Sequence, residues 1–164
     1  MLGSHLDTVP NGGKYDGMLG VIAPLAVVHH CFENGIRFPF HIDIVGFGDE
    51  EGTRFGSTLL GSRALTGRWK EDWQLLRDEN KVSLPEAMAE FGLAFDKVGD
   101  ATLKPDSVLG YLEVHIEQGP VLEDKNLPVG WVTAIAGAKR LNVQLNGMAG
   151  HAGTVPMDMR QDAL

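Results

Sequence analysis

The sequence predicts an α/β fold in which a mixed β-sheet is flanked by helices, followed by the beginning of a smaller α/β domain. Two observations lead to this fold class. Short β-branched apolar runs, typical of strands, alternate with longer apolar runs typical of helices. Several strand-like runs also end at clusters of histidine and carboxylate residues, where α/β proteins commonly place their sites. The 164 residues suffice for one domain with a core, and fall short of two full ones.

The first two predicted elements are a strand and a helix. Residues 1–6 have the pattern of the end of a strand, and a turn at Asn11-Gly12-Gly13 follows. Residues 18–32 are apolar nearly all round, so we expect a buried helix that tolerates Pro24 near its first turns. The pair Asn34-Gly35 is expected to end that helix.

The middle of the chain supplies one strand and three helices. Residues 40–47 are β-branched and partly alternating, which indicates a strand. Residues 53–65 carry apolar side chains at helical spacing, and 71–76 are expected to form a short helix. At Ser83, a serine followed three residues later by a glutamate predicts a helix that begins with a capping box and ends at Gly92.

The residue pattern changes in the last part of the chain, which suggests a second domain. It is predicted to form, in order, a polar loop over 96–106, strands over 109–116 and 129–135, an alternating strand over 140–147, and the start of a helix over 153–164. The alternation of polar and apolar residues over 140–147 indicates a sheet with one solvent-exposed face. We therefore place a domain boundary near Ile135, with one domain over 1–135 and the start of another over 136–164.

Composition excludes several classes of protein. A net charge of −8 and a pI of about 5.1 argue against nucleic acid as a partner, because phosphate binding needs a basic surface. No apolar run is long enough to span a membrane, and the first residues lack the charged start and apolar core of a signal peptide. Cys31 is the only cysteine, so no internal disulfide can form, and we expect a reducing, cytoplasmic location.

The first cluster of candidate site residues is His5, Asp7 and Asp16. Residues two apart on a strand face the same way. A metal-bound histidine commonly gives its second ring nitrogen to a carboxylate, and Asp7 is placed for that role beside His5. Asp16 follows a glycine-rich turn and could return to the same place to bridge two cations. A lone His-x-Asp is, however, more often a hydrogen-bonded structural pair.

Two adjacent glutamates, Glu50 and Glu51, follow the predicted strand over 40–47. In a loop such residues are usually solvated, and burying both is costly unless something compensates their charge. At the end of a strand they could instead divide the chemical work. One would ligate a metal ion while the other takes a proton from water.

A second histidine and carboxylate cluster repeats the first. His115-Ile116-Glu117 has the same order as His5-Leu6-Asp7, again at the end of a strand-like run, which makes coincidence less plausible. Mixed histidine and carboxylate ligands suit zinc, manganese, cobalt or nickel better than calcium or magnesium. His151 has small glycine neighbours that would let a substrate approach closely, but a histidine in a turn could equally be an exposed surface residue.

Four motifs together resemble the metal-dependent amidohydrolases of the M20 peptidase superfamily. They are Gly-Ser-His-Leu-Asp-Thr-Val, Asp-Glu-Glu-Gly-Thr-Arg-Phe, His-Ile-Glu-Gln-Gly-Pro and Gly-His-Ala-Gly-Thr-Val-Pro-Met, in the family's order and across nearly the full chain. They look most like the hydantoinase/carbamoylase branch, which holds allantoate amidohydrolase, N-carbamoyl-L-amino acid hydrolase and β-ureidopropionase. The resemblance implies that 1–135 is a catalytic domain around a mixed sheet. Residues 136–164 would begin a smaller α/β lid that also dimerises.

The resemblance further implies a binuclear metal centre. Two divalent ions, zinc or manganese, with cobalt or nickel possible, would be bound by His5, Asp16, Glu51 and His115. Asp16 would bridge both ions, and each of the other three would bind one. Asp7 would keep the orienting role that its spacing from His5 already suggests.

The same resemblance implies catalytic and substrate-binding roles. Glu50 would be the general base, Gln118 would contact the polar end of the substrate, and His151 would polarise the scissile carbonyl in the site of a partner subunit of a homodimer. The basic pair Lys139-Arg140 stands where the family often has one, and could help bind an anionic substrate.

The implied substrate is a small ureido compound, with allantoate first and N-carbamoyl-L-amino acids or the β-ureidopropionase substrate as alternatives. No nucleic acid or membrane partner is expected. The family's metal-binding histidine near the C-terminus, and the lid asparagine and arginine, have no counterpart in these 164 residues. The chain is therefore expected to be a fragment of such an enzyme. A catalytically incompetent metal-binding or dimerisation fragment remains an alternative of another class.

Overall fold

A computed structural model describes residues 1–137, 139 and 141–163 of the chain. They form two compact units, Met1–Val121 and Leu122–Leu164, and each is described by itself. The strands and helices are, in chain order, β1 (Leu2–His5), α1 (Met18–Glu33), β2 (Ile44–Phe47), α2 (Leu60–Leu65), α3 (Leu84–Glu90) and α4 (Val121–Asp124). Four 3₁₀-helices complete the set: Glu71–Leu75, Phe95–Ala101, Pro105–Ser107 and Met157–Met159. The predicted α/β class is confirmed.

A small parallel sheet carries the first unit. β1 pairs with β2 in parallel, with Leu2 opposite Ile44 and His5 opposite Phe47, and α1 makes the crossover between them. The helix lies very close to the sheet at Gly20, where a Cβ would stand 2.5 Å from the Cβ of Ser4. That glycine therefore permits the close contact of helix and strand that brings the N-terminus of α1 to the end of β1.

The expectation that α1 is buried all round is wrong. Only Gly20, Val21 and Pro24 are buried, whereas Val27 and Phe32 are 58% and 63% exposed. The physical reason is the size of the sheet: two strands cover one stripe of a 16-residue helix and leave the opposite apolar face uncovered.

The buried core of the first unit lies around the short helices. Phe55, Leu60, Trp73, Leu84 and Ala87 form one cluster. Trp69 packs edge-on against Trp73, with ring centroids 4.8 Å apart. Because Phe55 and Leu60 flank the loop that follows β2, this cluster supports the segment that carries the two adjacent glutamates.

The capping box predicted at Ser83 is confirmed. The Ser83 hydroxyl accepts from the Glu86 amide at 3.3 Å, and the Glu86 carboxylate accepts from the Ser83 amide at 2.7 Å. The helix that begins there, α3, ends at Glu90, two residues before Gly92. Both orphan amides are satisfied locally, which explains why a short sequence signal located this helix correctly.

Two middle elements are shorter than predicted. The strand expected over 40–47 is only Ile44–Phe47, and the helix expected over 53–65 is only Leu60–Leu65. Gly56 and Leu59 have φ values of 69° and 67°, and left-handed residues cannot continue a right-handed helix. The polar loop expected over 96–106 contains 3₁₀ turns.

The later strand predictions are wrong for the part of the chain that the structure describes. Residues 109–116 make only an isolated bridge, from Leu112 to Leu2. Residues 129–135 and the described part of 140–147 form no strand, and 153–163 contain a 3₁₀ turn instead of an α-helix. Alternation fits a strand only where another strand completes its hydrogen bonds. Arg140, of the predicted basic pair, lies outside the described residues.

Residues Leu122–Leu164 form the second compact unit, and within it Met148 pairs with Gln161 in an isolated bridge. The domain boundary near Ile135 stays a prediction. Of the helices that the structure describes, none is long and apolar enough to cross a membrane.

Candidate metal centre

His5 stands at the end of β1 and is 9% exposed. Its Nδ1 lies 2.5 Å from the backbone oxygen of Asp7, so this nitrogen carries the proton and donates it. Gly17 makes room for the ring, because a Cβ there would lie 2.4 Å from the imidazole, and its φ of 72° favours glycine independently. The Nε2 of His5 is therefore the ring atom that faces the rest of the site.

Asp16 lies in the turn before α1 and is 7% exposed. One carboxylate oxygen, Oδ2, accepts from the side-chain amide of Gln118 at 2.9 Å. The other, Oδ1, is buried and has no hydrogen-bond partner among the described residues. It lies 3.6 Å from Nε2 of His5 and 3.4 Å from Nε2 of His115. A buried carboxylate oxygen without a donor is costly unless a cation compensates it.

His115 meets His5 across the same space. Its Nδ1 lies 2.8 Å from the backbone oxygen of Ile116, and its Nε2 lies 3.2 Å from Nε2 of His5. Because both Nδ1 atoms donate to carbonyl oxygens, the neutral rings carry lone pairs on both Nε2 atoms. Two lone pairs at that separation repel each other, and a cation between them removes the repulsion.

These observations test whether a divalent metal fits the residues present. One atom each of His5, Asp16 and His115 lies within 4.8 Å of the others, and no other such group of three is found in the described residues. Two imidazole nitrogens in the ligating tautomer and one orphaned carboxylate oxygen form a donor set that suits zinc and similar transition metals. Backbone carbonyls hold both rings from behind, as is usual for metal-bound histidine. The residues fit the group.

Glu51 lies at the border of this trio, with Oε1 3.9 Å from Nε2 of His5 and a side chain 30% exposed. Its backbone is held in place by Asp7. The carboxylate of Asp7 accepts from the amides of Glu50 and Glu51, both at 3.0 Å. Asp7 therefore touches His5 through its backbone carbonyl, not through the carboxylate we expected to do so. The carboxylate instead joins the end of β1 to the loop after β2.

Both oxygens of the Glu50 carboxylate are hydrogen-bonded to Ser62. Its Oε1 accepts from the backbone amide of Ser62, and its Oε2 accepts from the Ser62 hydroxyl at 2.9 Å. Burial raises the pKa of Glu50 above its ordinary value, and the two Ser62 hydrogen bonds oppose that rise. Glu50 also lines a cavity of about 750 Å³ together with His5 and Glu51. A partly desolvated carboxylate beside His5, Asp16 and His115 is suited to proton transfer.

The relationship of this chain to known proteins is decided by a family model. The model described as peptidase family M20/M25/M40 matches residues 1–160. The chain belongs to this family. Its members include relatives of known name, and the chain spans about a third to two fifths of their length.

Two relatives and one solved structure show how similar the chain is to other proteins of the M20/M25/M40 family. The N-carbamoyl-L-amino-acid amidohydrolase of Pseudomonas sp. (strain NS671) is 46% identical over 169 residues, covering 100% of this chain and 40% of that protein. The allantoate deiminase of Arabidopsis thaliana is 44% identical, covering 100% of this chain and 32% of that protein. A hydantoinase/carbamoylase family amidase from Burkholderia ambifaria superposes with a TM-score of 0.70 at 34% identity, covering 97% of this chain and 38% of that one.

The two residues predicted to contact the substrate, Gln118 and His151, lie in different units. Gln118, in the first unit, adopts a left-handed φ of 55° and directs its amide to Asp16. His151, in the second, accepts at Nδ1 from the Gly153 amide at 3.1 Å. A neutral ring that accepts at Nδ1 carries its proton on Nε2, which leaves that atom free to donate to a carbonyl. Their substrate roles stay predictions.

Sequence reasoning missed several polar residues around the site. Ser62 holds Glu50, and Ser4, Tyr111 and Glu113 form a hydrogen-bonded cluster beside the two histidines. One signal was available for the cluster: Glu113 is a carboxylate two residues before His115 in an otherwise apolar run. Ser62 had no such signal, because it lies on α2, 12 residues after its partner.

Proposed function

We propose that the protein is, or is part of, a binuclear metal-dependent amidohydrolase that cleaves a C–N bond of a ureido substrate, with allantoate as the first candidate. The observation that carries this proposal is the convergence of two ligating imidazole nitrogens on the orphaned Oδ1 of Asp16. Membership of the M20/M25/M40 family supports it. So do relatives named for allantoate and for N-carbamoyl-L-amino acids, which share a ureido group.

The proposed metal ligands are those predicted from the sequence. His5 and His115 would hold one ion with Asp16, and Glu51 would hold the second with the same aspartate. Zinc or manganese suits these donors, with cobalt or nickel possible. When bound, such ions supply Lewis-acid chemistry: they lower the pKa of water and polarise a carbonyl oxygen.

The residues of the chain would then do the following work. Glu50 takes a proton from the attacking water and later gives it to the leaving nitrogen. Its hydrogen bonds to Ser62 fix the carboxylate in place, and burial makes it a better base. Gln118 holds Asp16 and would orient the polar end of the substrate. His151, from the partner subunit of a homodimer, would donate from Nε2 to the tetrahedral oxyanion.

For a carbamoyl substrate, the proposed hydrolysis yields ammonia, carbon dioxide and an amine. Water adds to the ureido carbonyl, the C–N bond to the terminal amide nitrogen breaks, and that nitrogen leaves as ammonia with the proton carried by Glu50. The remaining carbamate loses carbon dioxide and leaves an amine. N-carbamoyl-L-amino acids are the second candidate, because the relative of that name is 46% identical to this chain.

The test is the substitution Glu50→Gln in the metal-loaded protein, with allantoate and N-carbamoyl-L-amino acids as substrates. We expect ammonia release to fall by at least about a hundredfold, the usual contribution of a positioned general base. Metal content, measured by atomic emission, stays near that of the unaltered protein. The matched control Glu90→Gln removes an exposed carboxylate from α3 and leaves both quantities unchanged.

Two results would contradict the proposal in different ways. Loss of metal in Glu50→Gln would mean that Glu50 and Glu51 have exchanged roles. An unaltered protein that binds metal but releases no ammonia from either substrate class would refute the ureido assignment itself.

A further inference from the structure

Three polar side chains that the proposed chemistry does not use are bonded to one another beside the two histidines. The Ser4 hydroxyl donates to Oε1 of Glu113 at 2.5 Å. The single proton of the Tyr111 hydroxyl is shared between the backbone oxygen of Gly3, at 2.9 Å, and Oε2 of Glu113, at 3.2 Å. Both oxygens of the Glu113 carboxylate are thus occupied. We call Ser4, Tyr111 and Glu113 the Glu113 cluster.

The cluster is anchored in the structure at its buried end, Ser4. Ser4 is fully buried, with an exposed fraction of 0%. A Cβ at Gly20 would lie 3.1 Å from its hydroxyl oxygen, so α1 closes over it. Burial, together with the charge of Glu113, raises the pKa of Tyr111, and its hydroxyl therefore stays protonated and donating. The cluster is therefore shielded from water at Ser4, whereas Tyr111 and Glu113 are exposed.

The segment that carries His115 depends on such side-chain bonds because it forms no strand. Its backbone is tied to the beginning of the chain at Leu112, which donates to Met1 at 3.1 Å and accepts from Gly3 at 3.3 Å. Among the described residues, no backbone hydrogen bond joins 113–116 to β1. A tie is nevertheless needed between Leu112 and His115, since a metal site tolerates errors of only about 0.5 Å in its ligands.

The Glu113 cluster makes that tie next to both ligands. Ser4 directly precedes His5, and Glu113 stands two residues before His115. Their hydrogen bond joins segments 109 residues apart in the sequence. The pairing of Leu2 with Leu112 and the approach of His5 to His115 share a sequence separation of 110 residues. In sequence, the Ser4–Glu113 hydrogen bond falls between these two contacts, with a separation one residue smaller than theirs.

We propose that Glu113, with Ser4 and Tyr111, is a positioning residue that holds His115 against His5 for metal binding. The inference rests on the proposed function only in that the two histidines bind a divalent metal, and it does not depend on the substrate. Removal of the carboxylate frees residues 113–116 to shift relative to β1. The ligand trio would then loosen although every ligand is still present.

The experiment is a Co²⁺ titration of the full chain, followed through the visible d–d absorption of the bound ion. We expect Glu113→Ala to weaken Co²⁺ binding by about tenfold or more and to change the d–d absorption of the bound ion. Glu113→Gln keeps an oxygen that accepts from Ser4, so it restores part of the affinity. Ser4→Ala weakens binding as well, and adding it to Glu113→Ala has little further effect, because the two residues share one bond.

A merely structural role predicts a different pattern. It would lower the thermal midpoint of the metal-free variants and leave the Co²⁺ affinity and spectrum unchanged below that midpoint. The control Glu90→Gln removes an exposed carboxylate remote in sequence and should alter neither. If Glu113→Ala does not fold, Tyr111→Phe decides the matter, since it removes one hydroxyl and is expected to weaken Co²⁺ binding measurably.

The outcomes separate this proposal from the proposed function. Unchanged Co²⁺ affinity and spectrum in all folded variants would overturn the positioning role while the ureido activity could still stand. Weakened Co²⁺ binding in the variants, with no ammonia release by the unaltered protein, would support the positioning role and refute the activity. An unaltered protein that binds no Co²⁺ would overturn both.

Discussion

At the scale of the residue, the arrangement around Glu50 depends on Ser62. The Ser62 amide would remain in Ser62→Ala, but the hydroxyl that binds Oε2 at 2.9 Å would be lost. A hydrogen bond to a charged group is worth about 1.5–3 kcal/mol, so we expect kcat to fall by roughly ten- to a hundredfold. Metal content should not change, because the Ser62 side chain is hydrogen-bonded to Glu50 and Leu59 and not to the proposed ligands.

Ser62→Thr is the matched variant for this prediction. It keeps the hydroxyl and is expected to retain most of kcat, while KM stays near that of the unaltered protein in both variants. Steady-state kinetics and metal analysis of the two proteins together check the expectation. Parallel loss of metal and activity in Ser62→Ala would show that the serine supports the metal centre and not the base.

The residues of the site differ in how far the sequence could locate them. His5, Asp16 and His115 were predicted as ligands, and the structure brings their atoms within 4.8 Å. The repeated histidine and carboxylate pattern at two strand ends suggested a shared site, and the resemblance to the M20 superfamily implied that these three residues are its ligands. The contact from Asp7 to His5 was predicted through the wrong atom, since backbone carbonyls become available only once the chain bends after β1.

At the scale of the element, the loop between β2 and α2 is tied to the core by Arg54 and Asp78. Arg54 makes two contacts of 3.1 Å to one carboxylate oxygen of Asp78, through Nε and Nη2. The same carboxylate accepts from the amides of Asn80 and Val82. Burial alone would raise the pKa of Asp78, but these hydrogen bonds and the arginine together hold it below its ordinary value.

This lowered pKa gives a prediction for stability against pH. A carboxylate with a depressed folded pKa stabilises the fold above its unfolded pKa, about 3.9, and the contribution is lost as the pH falls through the folded value. We therefore expect Asp78→Asn to be less stable than the unaltered protein at pH 7, with the difference shrinking below about pH 4. Urea unfolding at several pH values measures it.

The control for the element is Asp72→Asn, which removes an exposed carboxylate from the neighbouring 3₁₀-helix. The free energy of unfolding of Asp72→Asn should stay close to that of the unaltered protein across the same pH range. A gap between Asp78→Asn and the unaltered protein that stays constant from pH 7 to pH 3 would contradict the role assigned to the Asp78 carboxylate.

Helices and strands were not equally predictable at this scale. The start of α1 was predicted at the right residue and its end to within one, and the capping box placed the start of α3, because helices satisfy their hydrogen bonds locally. Strands need partners elsewhere in the chain. Residues 109–116 therefore have the composition of a strand, but they pair with β1 only at Leu112. The sequence pattern alone contains no information on that missing pairing.

At the scale of the whole molecule, apolar burial is unevenly distributed. Of the six buried hydrophobic residues found in the described part of the chain, five belong to the cluster around Trp73, and only Val21 lies on α1. The sheet and the histidine segments thus have little apolar packing of their own. Regions with few buried apolar contacts open locally at low free energy. Bound metal is expected to contribute a large share of their stability.

The last prediction follows from this distribution. At a Zn²⁺ concentration of about 100 Kd, binding to the folded state alone should add about 2.7 kcal/mol to the free energy of unfolding, and chelation should remove it. The gain should concentrate in β1 and 111–116, whose amides become protected from hydrogen exchange, while 73–90 change less. His115→Ala should abolish the effect, and the exposed His41→Ala should keep it. Equal protection of 73–90 and 111–116 by Zn²⁺ would show that the two regions unfold as one cooperative unit.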